Sequence, residues 1–146
     1  MSTPRKRPIG LMNRKKIFSI LYGLPYIWIG IAHFIDPLVF VPIVPKAIGF
    51  PVFWVYLSGI FEVALGLGLF FARTRLICAR IIIAMLVVLS TANINMWWND
   101  ISFNGVQMST TGHIIRGFIQ LFLFACAFWI GEVWPFSKPK KMPEVV

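Results

Sequence analysis

Glu62 is the side chain whose position calls for a chemical explanation. It interrupts the long apolar run between Pro51 and Ala72. At about 100° per residue, Ser58, Gly59, Glu62 and Gly66 fall on one helical face. A charged group near the centre of a membrane-spanning helix costs on the order of 2.5–3.5 kcal/mol on insertion scales. The glycines beside it let a second helix approach closely, so Glu62 is expected to face protein or enclosed water rather than lipid. There it could exchange protons or hydrogen-bond a polar ligand. A protonated carboxyl bridging two helices is the structural alternative.

Other polar residues gather toward the same level of the chain. Gly23, Tyr26, Gly30 and His33 form one stripe at helical spacing, and His113, Arg116 and Gln120 form another at i, i+3 and i+7. Asn93 and Asn95 are about 200° apart on a regular helix, so only one of them can face a bundle interior. These positions predict a single outward-opening polar pocket. At about 1.5 Å per residue, Glu62 lies roughly 16 Å below the outer end of its helix and forms the base of the pocket. Arg116, His33 and His113 stand near its mouth. Arg116 pairs with Glu62 only if its helix begins several residues before His113. Tyr26 and Phe124 offer flat walls, and Asn93 and Gln120 offer hydrogen bonds. Such a pocket suits an amphipathic molecule such as a quinone head group. For His33 an interfacial hydrogen bond, and for His113 a surface position at a helix start, are the plainer readings. The spacing of the histidines and the carboxylate matches no metal motif, so no metal is expected. No nucleophile with its base, phosphate loop or zincin helix is present in the sequence.

The elements that carry these residues follow from composition. Of 146 residues, 58% are hydrophobic and 13% charged, with a mean hydropathy of +0.79. A soluble domain of this length has too small a core to hide so many apolar side chains. Four runs are long enough for helices that cross a bilayer, which predicts an all-α, integral membrane four-helix bundle. Arg5, Lys6, Arg7, Arg14, Lys15, Lys16, Arg73, Arg75, Arg80, Lys138, Lys140 and Lys141 make up twelve of the fourteen basic residues, and all lie on one side of such a bundle. Only Lys46 and Arg116 fall on the other. The positive-inside rule then puts both termini in the cytoplasm. The net charge of +9 is explained by topology and anionic lipid, without nucleic acid as a partner. Cys78 and Cys126 sit inside apolar runs without a Cys-x-x-Cys pattern and read as small buried hydrophobes.

In order, the chain reads as a basic cytoplasmic tail (1–15), a four-span domain (16–134) and a second basic tail (135–146). The first span covers about Lys16 to Ile35, with Pro25 a candidate kink. The connection to Phe50 is broken by Pro37, Pro42 and Pro45, and forms an interfacial loop or a fixed lid. The second span runs from Pro51 to Ala72. Arg73-Thr74-Arg75 makes a short turn whose arginines suit lipid phosphates, and which makes the second and third helices antiparallel neighbours. The third span covers Leu76 to Trp97, with Trp97 and Trp98 at the interface. An Asn104-Gly105 turn signal and a capping Ser109-Thr110-Thr111 group lead to the fourth span, His113 to Trp134.

Gly30-Ile31-Ala32-His33-Phe34, the loop Phe40-Val41-Pro42-Ile43-Val44-Pro45, Tyr56-Leu57-Ser58-Gly59 with Glu62 and Gly66, Arg73-Thr74-Arg75, and Ala92-Asn93-Ile94-Asn95-Met96 together resemble the DoxX-like family of small bacterial membrane proteins, over roughly residues 20 to 125. The resemblance implies a four-helix transmembrane bundle in the bacterial inner membrane. It also implies a link to membrane redox systems, since the family takes its name from a subunit of a thiosulfate:quinone oxidoreductase. His33, Glu62 and Asn93 match the family's polar positions; Arg116 and Gln120 lie where its pattern is looser. The leading expectation is a quinone-associated subunit of a membrane redox system, with Glu62 and His33 as its chemical residues. It carries no covalent cofactor, a partner protein supplies electrons, and homo-oligomerisation stays open. A non-enzymatic scaffold or assembly factor whose glycine faces bind other helices is the alternative, and a proton-coupled small exporter the third.

Overall fold

The structure is a computed structural model that describes residues 9–137; the basic clusters Arg5-Lys6-Arg7 and Lys138-x-Lys140-Lys141 lie outside the described residues. The described chain forms four long helices: α1 (Ile9–Ile35), α2 (Pro51–Gly68), α3 (Arg75–Trp98) and α4 (Thr110–Ile130). Each contains a stretch long and apolar enough to cross a bilayer. Their outward faces are apolar, with Leu21, Val88, Phe118, Leu121 and Phe122 all exposed, which is the surface of a multi-pass membrane protein rather than a soluble domain. α1 starts at Ile9, before the Lys16 expected from sequence, and runs unbroken through Pro25. α4 begins at Thr110, where the Ser109 hydroxyl accepts a hydrogen bond from Gly112 N at 3.2 Å.

The helices make two close pairs. α1 and α2 cross on glycines facing glycines. A Cβ added at Gly23 would lie 2.6 Å from Gly66 O, and one at Gly59 would lie 3.0 Å from Gly30 O. The two backbones can approach so nearly only because neither presents a side chain there. α3 and α4 form the second pair. At the end of the bundle where α1 starts and α4 stops, here the lower end, the pairs close on one another. Lys15 Nζ meets Glu132 Oε1 at 2.7 Å, Phe18 packs edge-on against Trp129, and Tyr22 OH donates to Leu123 O at 2.8 Å. The buried core lies in this half, built from Leu65, Leu69, Ala79, Ile82, Ala127 and Ile130 among others. Cys78 and Cys126 are free thiols within it.

The 69–74 turn joining α2 to α3 is held by α2's own last carbonyls. Thr74 Oγ1 donates to Gly68 O at 2.6 Å and Arg75 Nε to Leu69 O at 3.1 Å. Arg80 Nε similarly donates to Gly131 O, at the end of α4. Cations at helix C-termini are favoured by the exposed carbonyls and the helix dipole. Arg75 therefore helps to hold the turn.

At the upper end the four helices spread apart. The 36–50 segment folds into three short 3-10 turns, Pro37–Val39, Val41–Ile43 and Lys46–Ile48. It lies across the opening, where Ile43 O accepts from Asn95 Nδ2 at 3.0 Å. The second connection turns at Asn104-Gly105, both with positive φ, and Phe103 and Val106 exchange two hydrogen bonds of 3.0 Å across it. This turn fixes Phe103, whose ring meets Phe40 edge-on at 5.6 Å.

Candidate functional site

The space between the spread helices is a cavity of about 580 Å³, within the size range of small-molecule sites. Its floor includes Tyr26, Leu86 and Leu123, and its roof is Phe40, Ile43, Val44 and Phe103. Its walls are mainly apolar, with Trp28, Ile29, Trp54 and Ile119 among them. Into this lining project Ser58, Glu62 and His33 from one helix pair, and Asn93, Arg116 and Gln120 from the other.

The 36–50 segment and Phe103 cover the upper end. Lining side chains that are also exposed mark where the cavity meets the outside: Trp28 is 75% exposed and Ile119 52%. They stand on α1 and α4. Trp54 on α2 also lines the cavity and is exposed, so the lining reaches the apolar flank of the bundle from three of its helices.

Glu62 and His33 are brought together by the glycine crossing. A Cβ on Gly59 would lie 2.9 Å from His33 Cβ, and one on Gly30 would lie 3.0 Å from Glu62 Cβ. Small residues at 30 and 59 thus set the two side chains next to each other. His33 Nδ1 lies 2.7 Å from Ile29 O. A carbonyl can only accept, so the ring proton sits on Nδ1 and points at that carbonyl. The same nitrogen is 3.4 Å from Glu62 Oε2, but its single proton is already directed elsewhere. Glu62 Oε2 is buried with no hydrogen-bond partner, and its side chain lines the cavity. Buried polar atoms are nearly always paired, so this carboxyl, with Oε2 sealed against His33 and no hydrogen bond to either oxygen, is a group that a donor in the cavity could satisfy. The imidazole is held from above by Phe40, stacked at 3.9 Å between centroids.

On the opposite wall, Arg116 Nη2 donates to Asn93 Oδ1, and Asn93 Nδ2 donates to Gln120 Oε1. Gln120 Nε2 reaches Leu86 O at 2.9 Å and Ser90 Oγ at 2.7 Å. Arg116 Nη1 contacts Met96 Sδ. Asn93 and Gln120 thus form a chain that ties α3 to α4 and orients the guanidinium, with their own polar atoms engaged. The Arg116–Glu62 ion pair suggested by sequence does not form, although α4 does begin before His113. Arg116 is turned to α3 instead, because Asn93 lies one helix away on the paired partner while Glu62 stands across the cavity.

Two other expected participants lie elsewhere. His113 is buried, stacked on Trp97 at 5.6 Å with the planes 3° apart. It does not line the main cavity but a smaller hollow of about 160 Å³ between α3 and α4, which shares Asn93, Arg116 and Gln120 with it. Phe124 packs against the lower core rather than forming a cavity wall. Tyr26 does line the cavity, and its hydroxyl bonds Tyr22 OH at 3.0 Å. Asn95, about 200° from Asn93, faces the roof instead. Phe40, Phe103 and Met96 were missed in the sequence; the Pro-rich loop and the Asn-Gly turn were the available signals for the first two. Among the described residues no group of three or more His, Cys, Asp or Glu could hold a metal ion.

Neither a curated protein nor a solved structure matches this chain. Residues 23–131 match the family model described as a domain of unknown function, DUF8561. That span holds the glycine crossing and every cavity residue named above, so the chain belongs to this family.

Proposed function

We propose that this protein binds a lipid-soluble amphipathic molecule of the quinone type in its intramembrane cavity, as the ligand-binding subunit of a membrane redox system. The observation that carries the reading is the buried Glu62 carboxyl, without a hydrogen-bond partner, in the lining of a mainly apolar cavity among membrane-spanning helices, with His33 beside it. A flat ring fits between Phe40 above and Tyr26 below. In the reduced, quinol form a ring hydroxyl would donate to Glu62, and in the quinone a carbonyl would accept from the Arg116 wall. Reducing such a ring takes two electrons and two protons. Glu62 and His33 are placed to pass the protons, and a partner protein supplies the electrons. The redox role rests on the DoxX-like resemblance, since the matched family is a domain of unknown function. The distribution of basic residues supports a bacterial cytoplasmic membrane protein with both termini inside.

The scaffold reading called for glycine faces free to bind other helices. Gly23, Gly30, Gly59 and Gly66 are instead occupied in the α1–α2 crossing, which favours the cavity as the functional feature.

The test is extraction of bound lipids and quinones from protein purified in mild detergent from its native membrane. A stoichiometric quinone is expected with the wild type. Glu62→Gln should bind it about tenfold or more weakly, the value of a hydrogen bond to a charged group. Absence of quinone from folded samples of both proteins would overturn the reading.

A further inference from the structure

Arg116 is a half-buried cation in the cavity wall whose charge no described residue balances. Its two terminal nitrogens meet Asn93 Oδ1 and Met96 Sδ, both neutral atoms. Among the described residues no carboxylate lies within ion-pair distance of it; Glu132 is paired with Lys15, and Glu62, beside the His33 ring, stands across the cavity. A guanidinium offers five N–H donors, and an unbalanced charge within a membrane-spanning segment is costly. The chain Asn93–Gln120–Ser90 fixes this cation in place without neutralising it. The remaining source of counter-charge at this wall is the cavity itself, whose lining includes the exposed Trp28 and Ile119.

We propose that Arg116 binds an anionic oxygen on the head group of the amphipathic ligand, so that the cavity selects ionised over neutral molecules of the same shape. This rests on the reading of the cavity as an amphipath site and narrows its substrate class to ring acids or carboxylates with an apolar tail. The planar fork of arginine suits such oxygens, and the charge-assisted bonds it forms are about twice as strong as neutral ones. The tail lies along Ile29, Ile119 and Trp28, toward the apolar flank of the bundle.

The test uses a matched pair of probes, an alkyl-1,4-naphthoquinone and its 2-hydroxy derivative, whose ring hydroxyl is ionised at neutral pH. Binding of each to the detergent-purified full chain is titrated by quenching of tryptophan fluorescence. Wild type is expected to bind the hydroxy compound at least about tenfold more tightly. Arg116→Gln should lose that preference and Arg116→Lys should keep most of it. The wild-type comparison is decisive by itself should the Gln variant fail to fold. Equal affinity for the two probes, or a preference unchanged in folded Arg116→Gln, overturns the role of Arg116 and leaves the cavity reading standing. Binding of neither probe overturns both.

Discussion

Residues of unremarkable type decide this site. Glu62 and His33 are chemically ordinary until Gly30 and Gly59 set their helices in backbone contact, after which the two side chains share one corner of a cavity. Replacing Gly59 with leucine drives a side chain into His33 Cβ, Gly30 O and the Phe34 ring. Overpacking of this kind costs about 1–3 kcal/mol, and Gly59→Leu should lower the unfolding midpoint in mixed micelles accordingly. Gly117 is the control on α4, because a Cβ there meets nothing within 4 Å. Gly117→Ala should be neutral or more stable, by up to about 0.5–1 kcal/mol of helix propensity. Equal effects at both positions would show that close α1–α2 contact is not what the glycines provide.

Among the elements, the 36–50 segment has the most specific assignment. Its 3-10 turns are tethered by Asn95 to Ile43 O and by the stacking of Phe40 on His33, which makes it a roof rather than a loose connection. Asn95→Leu removes the tether without touching the cavity lining. Amide exchange at Phe40–Val44 should then accelerate while exchange in the lower halves of the helices stays unchanged; unaltered exchange in the roof would remove Asn95 from this role. At the floor, Tyr22→Phe deletes the donor to Leu123 O and leaves the Tyr26 hydroxyl without its neighbour. The expected loss is about 0.5–1.5 kcal/mol, read as a lowered thermal midpoint, since this bond ties α1 to α4.

At the scale of the whole molecule, the bundle is divided along its length into a filled lower half and a hollow upper half. The lower half is tied by Lys15–Glu132 and its apolar core, so both the start of α1 and the end of α4 lie at one end. Single cysteines placed at Ser137 and Asn104, in a chain with Cys78 and Cys126 replaced, should be labelled from opposite sides of the membrane, Ser137 from the cytoplasm. Labelling of both from one side would contradict the four-span arrangement.

The number, length and apolar character of the helices were legible in the sequence, because spanning a bilayer sets a minimum run of apolar residues whatever the partners are. The Glu62 face, the Asn104-Gly105 turn and the Ser109 cap were legible for similar reasons, each being a local rule. Which polar residues meet was not. Helical periodicity gives a side chain's angle on its own helix but not the neighbour it turns to, and so Arg116 faces Asn93 rather than Glu62, and His113 stacks on Trp97 outside the cavity. Only the tertiary structure decided that α1 pairs with α2 and α3 with α4, and that the roof lies over the upper end. Those outcomes depend on backbone approach at the Gly23–Gly66 and Gly30–Gly59 crossings and on hydrogen bonds between residues as far apart as Ile43 and Asn95, distances that no pattern within a single helix encodes.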